Sequence, residues 1–162
     1  KHMSQEIEMN FKVKDKSGLL DFLKSMASEK ISEIKMTYLG KKDENFYIRI
    51  EEIKDDAGDR KFLTAKGNFK SEGGINQRKE ITLPVTDDPQ KYIDFLLLIG
   101  MELRDSKQKV RHQFKIDDLD ITLDEWNVEE LGNRLEIEGE SEDQVKQFSE
   151  KVIQFCESNP SE

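Results

Sequence analysis

The chain of 162 residues sets 26 Lys and Arg against 35 Asp and Glu, a formal net charge of −9, with 35% hydrophobic and 38% charged residues. The length suits one domain with an ordinary core, no apolar run reaches the roughly 18–20 residues of a membrane span, and the acidic total argues against nucleic acid as a partner, since that affinity rests on excess Lys and Arg. Cys156 is the single cysteine, which excludes an internal disulfide and agrees with a reducing, cytoplasmic setting. Lys1, His2 and Met3 read as an expression scar, residues 4–157 as the domain and residues 158–162 as a frayed end. Without His2, only His112 remains, so a His-based zinc site, a Cys–His dyad and a Ser–His–Asp triad lack raw material.

Glu6 to Val13 alternates, with Glu6, Glu8, Asn10 and Lys12 on one face and Ile7, Met9, Phe11 and Val13 on the other, the pattern of a strand. Ser17 is the expected cap of a helix to about Glu29, with Leu19, Leu20, Phe22, Leu23 and Met26 as its apolar stripe. A strand is expected at Ile34 to Tyr38 and another at Asn45 to Ile53, where Tyr47, Arg49 and Glu51 oppose Phe46, Ile48 and Ile50. Phe62 to Lys66 follows as a strand, Gly67 to Gly74 as a loop, and then a strand with Arg78, Glu80 and Thr82 on one face. Asp88-Pro89 opens a second helix that Gly100 closes. Lys107, Lys109 and Arg111 share a face of the next strand, Asp117-Asp118 marks a hairpin turn, and the strands around Leu123 and Leu135 follow. Ser141 with Gln144 is the capping-box start of a third helix along Val145, Phe148, Val152 and Phe155.

The short connections favour an α+β fold, a mostly antiparallel sheet of about eight strands, closed or nearly so, with helices outside. Each charged strand face, taken alone, is ordinary solvated surface. Three helices with apolar stripes must nevertheless pack somewhere, and the apolar strand faces are their natural partner. The polar faces then line the inside. That lumen would hold Glu6, Glu8, Asp124, Glu136 and Glu138, which suit a hard divalent cation such as Mg²⁺ or Mn²⁺. It would also hold Lys12, Arg49, Lys66, Arg78, Lys109 and Arg111, able to grip phosphate oxygens.

Glu6-Ile7-Glu8 resembles the ExExK start of the CYTH superfamily, the triphosphate tunnel metalloenzymes. Tyr47 to Glu51 is similar to that family's YLRIR strand, Leu63 to Gly67 to its LTxKG strand, and Arg78 to Glu80 to its RxE strand. Lys109 to Arg111 resembles the KxR strand, Leu123 to Glu125 the LDE strand, and Leu131 to Gly139 the LGxFvEIEG strand. The resemblance implies an eight-stranded antiparallel closed barrel, a tunnel binding a triphosphate as small-molecule partner, with hydrolysis dependent on Mg²⁺ or Mn²⁺. It implies Glu6, Glu8, Lys66 and Arg111 as catalytic, and Lys12, Arg49, Lys66, Arg78, Lys109 and Arg111 as substrate-binding. Glu6, Glu8, Asp124, Glu136 and Glu138 would hold metal. Two positions depart: Asn10 stands where the family has lysine, with Lys12 two residues on, and Glu51 where it has arginine.

Two alternatives stay open at this level, a class IV adenylyl cyclase making cyclic AMP from ATP and a non-catalytic polyphosphate or organic-phosphate binder. His112 on the apolar face reads as structural, and Cys156 as a small hydrophobe. Trp126 shares the parity of Asp124, which allows it into the tunnel, and Tyr38 resembles the tyrosine of the family's YFD strand with Gly40 in place of the aspartate. An outer apolar strip or free sheet edge leaves room for a homodimer.

Overall fold

Alternating polar and apolar positions need a wall with two different sides, and the chain builds one. The structure, a computed structural model, describes residues 4–67 and 70–157, with the backbone alone for residues 4–6; the expected scar at residues 1–3 and end at residues 158–162 lie outside the described residues. Along the chain run β1 (Ser4–Lys12), α1 (Lys16–Met26), β2 (Lys30–Gly40), β3 (Tyr47–Asp55), β4 (Gly58–Lys66), β5 (Lys70–Glu72) and β6 (Ile75–Pro84). Then follow α2 (Pro89–Leu98), β7 (Glu102–Ile116), β8 (Leu119–Trp126), β9 (Asn133–Gly139) and α3 (Glu142–Val152).

The strands pair in the order β1-β9-β8-β7-β2-β3-β4-β6, and β6 closes back on β1. Every pairing is antiparallel. β4 pairs with residues 80–84 of β6, and β5 with residues 75–77 on the same edge, so β5 resumes the row that β4 leaves. The barrel thus has eight staves. The segment expected as a loop after Lys66 contains this short strand, turned into β6 by Gly73 and Gly74 at φ 59° and 80°. Two consecutive positive φ values suit the two-residue hairpin turn whose twist matches the strands, and glycine adopts them without strain.

The apolar faces point outward and are roofed by helices. Met9, Phe11, Ile121, Leu123, Leu135 and Ile137 pack with Leu19 and Leu23 of α1 and Val145, Phe148 and Val152 of α3. Burial of each such side chain is worth about 1.5–3 kcal/mol, so the helices are where the barrel gains its core. α2 covers the other flank, setting Leu96 on Leu39 and Ile50. Cys156 is 2% exposed in the first cluster, and burial pushes its thiol up to about 11, which leaves it unreactive.

The helix starts are local and legible. Asp88 caps α2 through Gln90 N, and Ser141 caps α3 through Gln144 N. α1 differs from expectation: Asp15, not Ser17, accepts from Gly18 N at 3.0 Å. Gly18 is needed there, because a Cβ would collide with the Asp15 carboxylate. His112 holds the outer face: Nδ1 lies 2.7 Å from Glu29 and Nε2 2.5 Å from Glu125, which also accepts from Lys16. No helix among the described residues is long and apolar enough to cross a membrane.

Candidate functional site

Because the apolar faces are spent on the helices, the polar faces meet across a central cavity of about 590 Å³. Among the described residues, seven basic side chains line it (Arg49, Lys66, Arg78, Lys107, Lys109, Arg111, Arg134) against seven acidic ones (Glu8, Glu51, Glu80, Asp120, Asp124, Glu136, Glu138). Among the described residues the lining charges balance, inside a chain of net charge −9. A divalent cation added to them would shift this balance by +2, the right direction for a polyanion.

The acidic wall is built by β1 and β9. Glu8 stands opposite Glu138, and Asn10 opposite Glu136, in adjacent register. Carboxylate oxygens of Glu8, Glu136 and Glu138 come within 4.8 Å of one another. Three carboxylates that close repel unless a cation or proton joins them, and an all-oxygen set of this kind fits a hard divalent ion. Glu6 lies further along β1 opposite Arg78; its side chain is outside the described residues.

Asp124 is not gathered with the three glutamates. Its carboxylate is gripped from β7: Lys109 Nζ donates to Oδ2 at 2.7 Å, Arg111 Nε to Oδ1 at 2.8 Å and Arg111 Nη2 to Oδ2 at 2.8 Å. Burial would raise the Asp124 carboxyl, but the hydrogen bonds and charges of Arg111 and Lys109 outweigh it and hold the group below its ordinary value. Burial also pushes the Lys109 ammonium down to about 8; adjacent Arg111 adds to that, and Asp124 opposes it. Both lysine and aspartate are nearly out of water, at 5% and 6% exposure.

The remaining staves carry Arg49, Glu51, Lys66, Arg78 and Glu80 into the same space. Arg49 Nε and Nη2 both lie 2.8 Å from Glu51 Oε1. Lys66 lies 3.2 Å from Glu80. Glu51, placed on a phosphate-facing row by the sequence, is thus paired with the base two residues before it. Arg78 sits over the Tyr47 ring at 5.4 Å. Trp126 does enter the lumen, beneath Lys109 at 4.4 Å and Lys107 at 5.4 Å. Tyr38 enters it as well, and burial raises its phenol to about 12.

Lys12, read from the sequence as a stand-in for the ammonium absent at Asn10, is not among the cavity-lining residues; Asn10 is. Across from Lys12, Arg134 of β9 lines the cavity. Arg134 was not among the sequence-derived candidates. Its signal was parity, since it shares a face with Glu136 and Glu138, and Lys107 carries the same signal beside Lys109.

A family model described as CYTH domain matches residues 4–158. No curated protein matches the chain at significance. Among solved structures, the PH1819 protein from Pyrococcus horikoshii is 21% identical, with a TM-score of 0.73 over 92% of this chain and 86% of that one. The PH1012 protein of the same organism is 18% identical, with a TM-score of 0.77 over 96% and 94%. A candidate adenylyl cyclase from Hippeastrum, HpAC1, which has a dominant triphosphatase activity, is 16% identical, with a TM-score of 0.69 over 92% and 86%.

Proposed function

As the chain belongs to the CYTH domain family, we propose that it is a metal-dependent hydrolase of a triphosphate, inorganic or on a small organic group, working inside the barrel. The observation that carries this reading is the meeting, in one cavity, of the Glu8–Glu136–Glu138 oxygen cluster with rows of Lys and Arg, of which Lys66 and Lys109 are buried. The donor set suits Mg²⁺ or Mn²⁺. Bound there, such an ion would neutralise phosphate oxygens and lower the pKa of a water.

The chain's own residues supply the rest. Arg49, Lys66, Arg78, Lys109 and Arg111 approach the lumen from β3, β4, β6 and β7, so a linear polyanion meets cations along several walls. Guanidinium forks hold two oxygens each and fix orientation, while the ammonium groups act as point charges. As the terminal phosphoryl group transfers, charge grows on its equatorial and leaving oxygens. Lys66 and Arg111, already fixed by Glu80 and Asp124, meet that charge without reorganisation. Glu8 and, by the motif it shares, Glu6 complete the catalytic set.

Purified protein given tripolyphosphate with Mg²⁺ or Mn²⁺ is expected to release phosphate, and the Glu136→Ala/Glu138→Ala double variant to release none above background. Equal release by both proteins refutes the reading, as does cyclic AMP formed from ATP with no phosphate from tripolyphosphate. Lys109 gives a second expected result. Its ammonium, pushed down to about 8, is charged below that pH and neutral above it, so kcat/KM should fall as pH rises through about 8. kcat/KM reports groups of the free enzyme. Lys109→Arg, which stays charged, should move that limb upward; an unmoved limb assigns it to another group.

A further inference from the structure

Two buried polar side chains flank the three glutamates. Asn76 stands opposite Glu8 across the β6–β1 pair, and Thr122 opposite Glu136 across the β8–β9 pair. Thr122 lines the cavity, and Asn76 has the parity of Arg78 and Glu80, which also line it. Asn76 is 1% exposed and Thr122 6%. Neither the oxygen nor the nitrogen of the Asn76 carboxamide, nor the Thr122 hydroxyl, has a hydrogen-bond partner among the described residues. Buried polar atoms are nearly always satisfied, as the hydroxyls of Thr64 and Thr82 in this lumen are, bonding each other at 3.0 Å. These three atoms of Asn76 and Thr122 fall on strands bordering the carboxylate cluster found among the described residues.

Geometry and chemistry point the same way. A divalent cation such as Mg²⁺ dehydrates reluctantly and keeps several waters when carboxylates bind it. Those waters donate hydrogen bonds and need acceptors, and the carboxylates themselves need to be held in place. We infer that Asn76 and Thr122 are positioning residues of the cation site: the Asn76 oxygen and the Thr122 hydroxyl accept from the ion's waters, and the Asn76 amide donates toward the Glu8 carboxylate. This inference rests on the metal-dependent reading above. It adds two residues that no catalytic or substrate-binding role had singled out.

Calorimetric titration of the purified full chain with Mn²⁺ alone tests it, alongside melting curves of the metal-free proteins. The Mn²⁺ affinity should fall about ten- to a hundredfold in Asn76→Leu and in Thr122→Val, and Thr122→Ser should restore it. Metal-free Asn76→Leu and Thr122→Val should melt no lower than the unaltered protein, because each removes buried polar atoms that have no partner. Unchanged Mn²⁺ affinity with lower metal-free melting temperatures overturns the inference, since that is how purely structural polar groups behave. Should the unaltered protein bind neither Mn²⁺ nor Mg²⁺, the metal-dependent function falls with it. Should the unaltered protein bind and both variants bind alike, only the roles of Asn76 and Thr122 fall. The threonine pair of variants keeps the test decisive if Asn76→Leu does not fold.

Discussion

Asp124→Asn is expected to lower the melting temperature by about 10 °C at neutral pH in the absence of phosphate ligands. The Asp124 carboxylate is the shared counter-charge of Lys109 and Arg111 and makes three hydrogen bonds to them. Its loss leaves two nearly buried cations facing each other. Breaking a buried pair by removing one partner costs about 3–5 kcal/mol, and each kcal/mol shifts the melting temperature by about 2–4 °C in a domain of this size. The effect should also depend on pH. A carboxyl whose native value lies below its ordinary 3.8 stabilises the fold above that value, and loses this contribution as pH falls through the depressed native value. The melting curves of the two proteins should therefore converge in acid. Added tripolyphosphate should restore much of the loss in Asp124→Asn, because its oxygens replace the missing counter-charge. Thermal melts across pH, with and without tripolyphosphate, read all three effects. A variant that keeps its melting temperature but loses Mn²⁺ binding would instead make Asp124 a metal ligand, the role its place in the motif suggested.

That contrast marks how far the sequence could be read. Parity on the strands at Glu6 to Val13, Asn45 to Ile53 and Lys107 to Phe114 was enough to separate a helix-covered face from a charged face, and hence to expect the lumen. Alternation is a property of one strand at a time. Which charge meets which depends on register between strands, and that emerges only when the barrel closes. Thus Asp124 reads as one more carboxylate beside Glu136 and Glu138, yet its direct partner across β7 and β8 is Arg111. Glu8, Glu136 and Glu138 do converge because β1 and β9 are neighbours although they lie at opposite ends of the chain. β5 escaped notice because three polar residues carry no period that a sequence can show. Asn76 was missed for a related reason: it precedes the first strand residue marked by alternating charge, and its burial comes from tertiary packing.

Glu51→Gln is expected to have opposite effects on stability and on binding. Glu51 sits on β3 between Met36 and Phe62 on the flanking staves, so no cation stands directly opposite it. Its charge is met along its own strand, by both Arg49 nitrogens at 2.8 Å. Glutamine keeps the shape and one acceptor but removes the charge, which leaves the Arg49 guanidinium with a weaker partner. The ligand-free protein should therefore lose about 1–3 kcal/mol of stability. The same change takes a negative charge out of the space that a triphosphate would fill. At an effective dielectric near 20, two unit charges about 6 Å apart interact by about 3 kcal/mol. Screening and the relief already given by Arg49 reduce that, so the Kd for tripolyphosphate should fall about ten- to a hundredfold. Glu51→Gln should then melt below the unaltered protein without ligand and gain more from saturating tripolyphosphate, closing most or all of that gap. This outcome makes Glu51 an electrostatic brake that holds Arg49 back from the ligand. Weaker binding in Glu51→Gln overturns that account, because it would mean that Arg49 needs the carboxylate to aim its fork along β3, and the acidic residue at this position would then serve the ligand instead of opposing it.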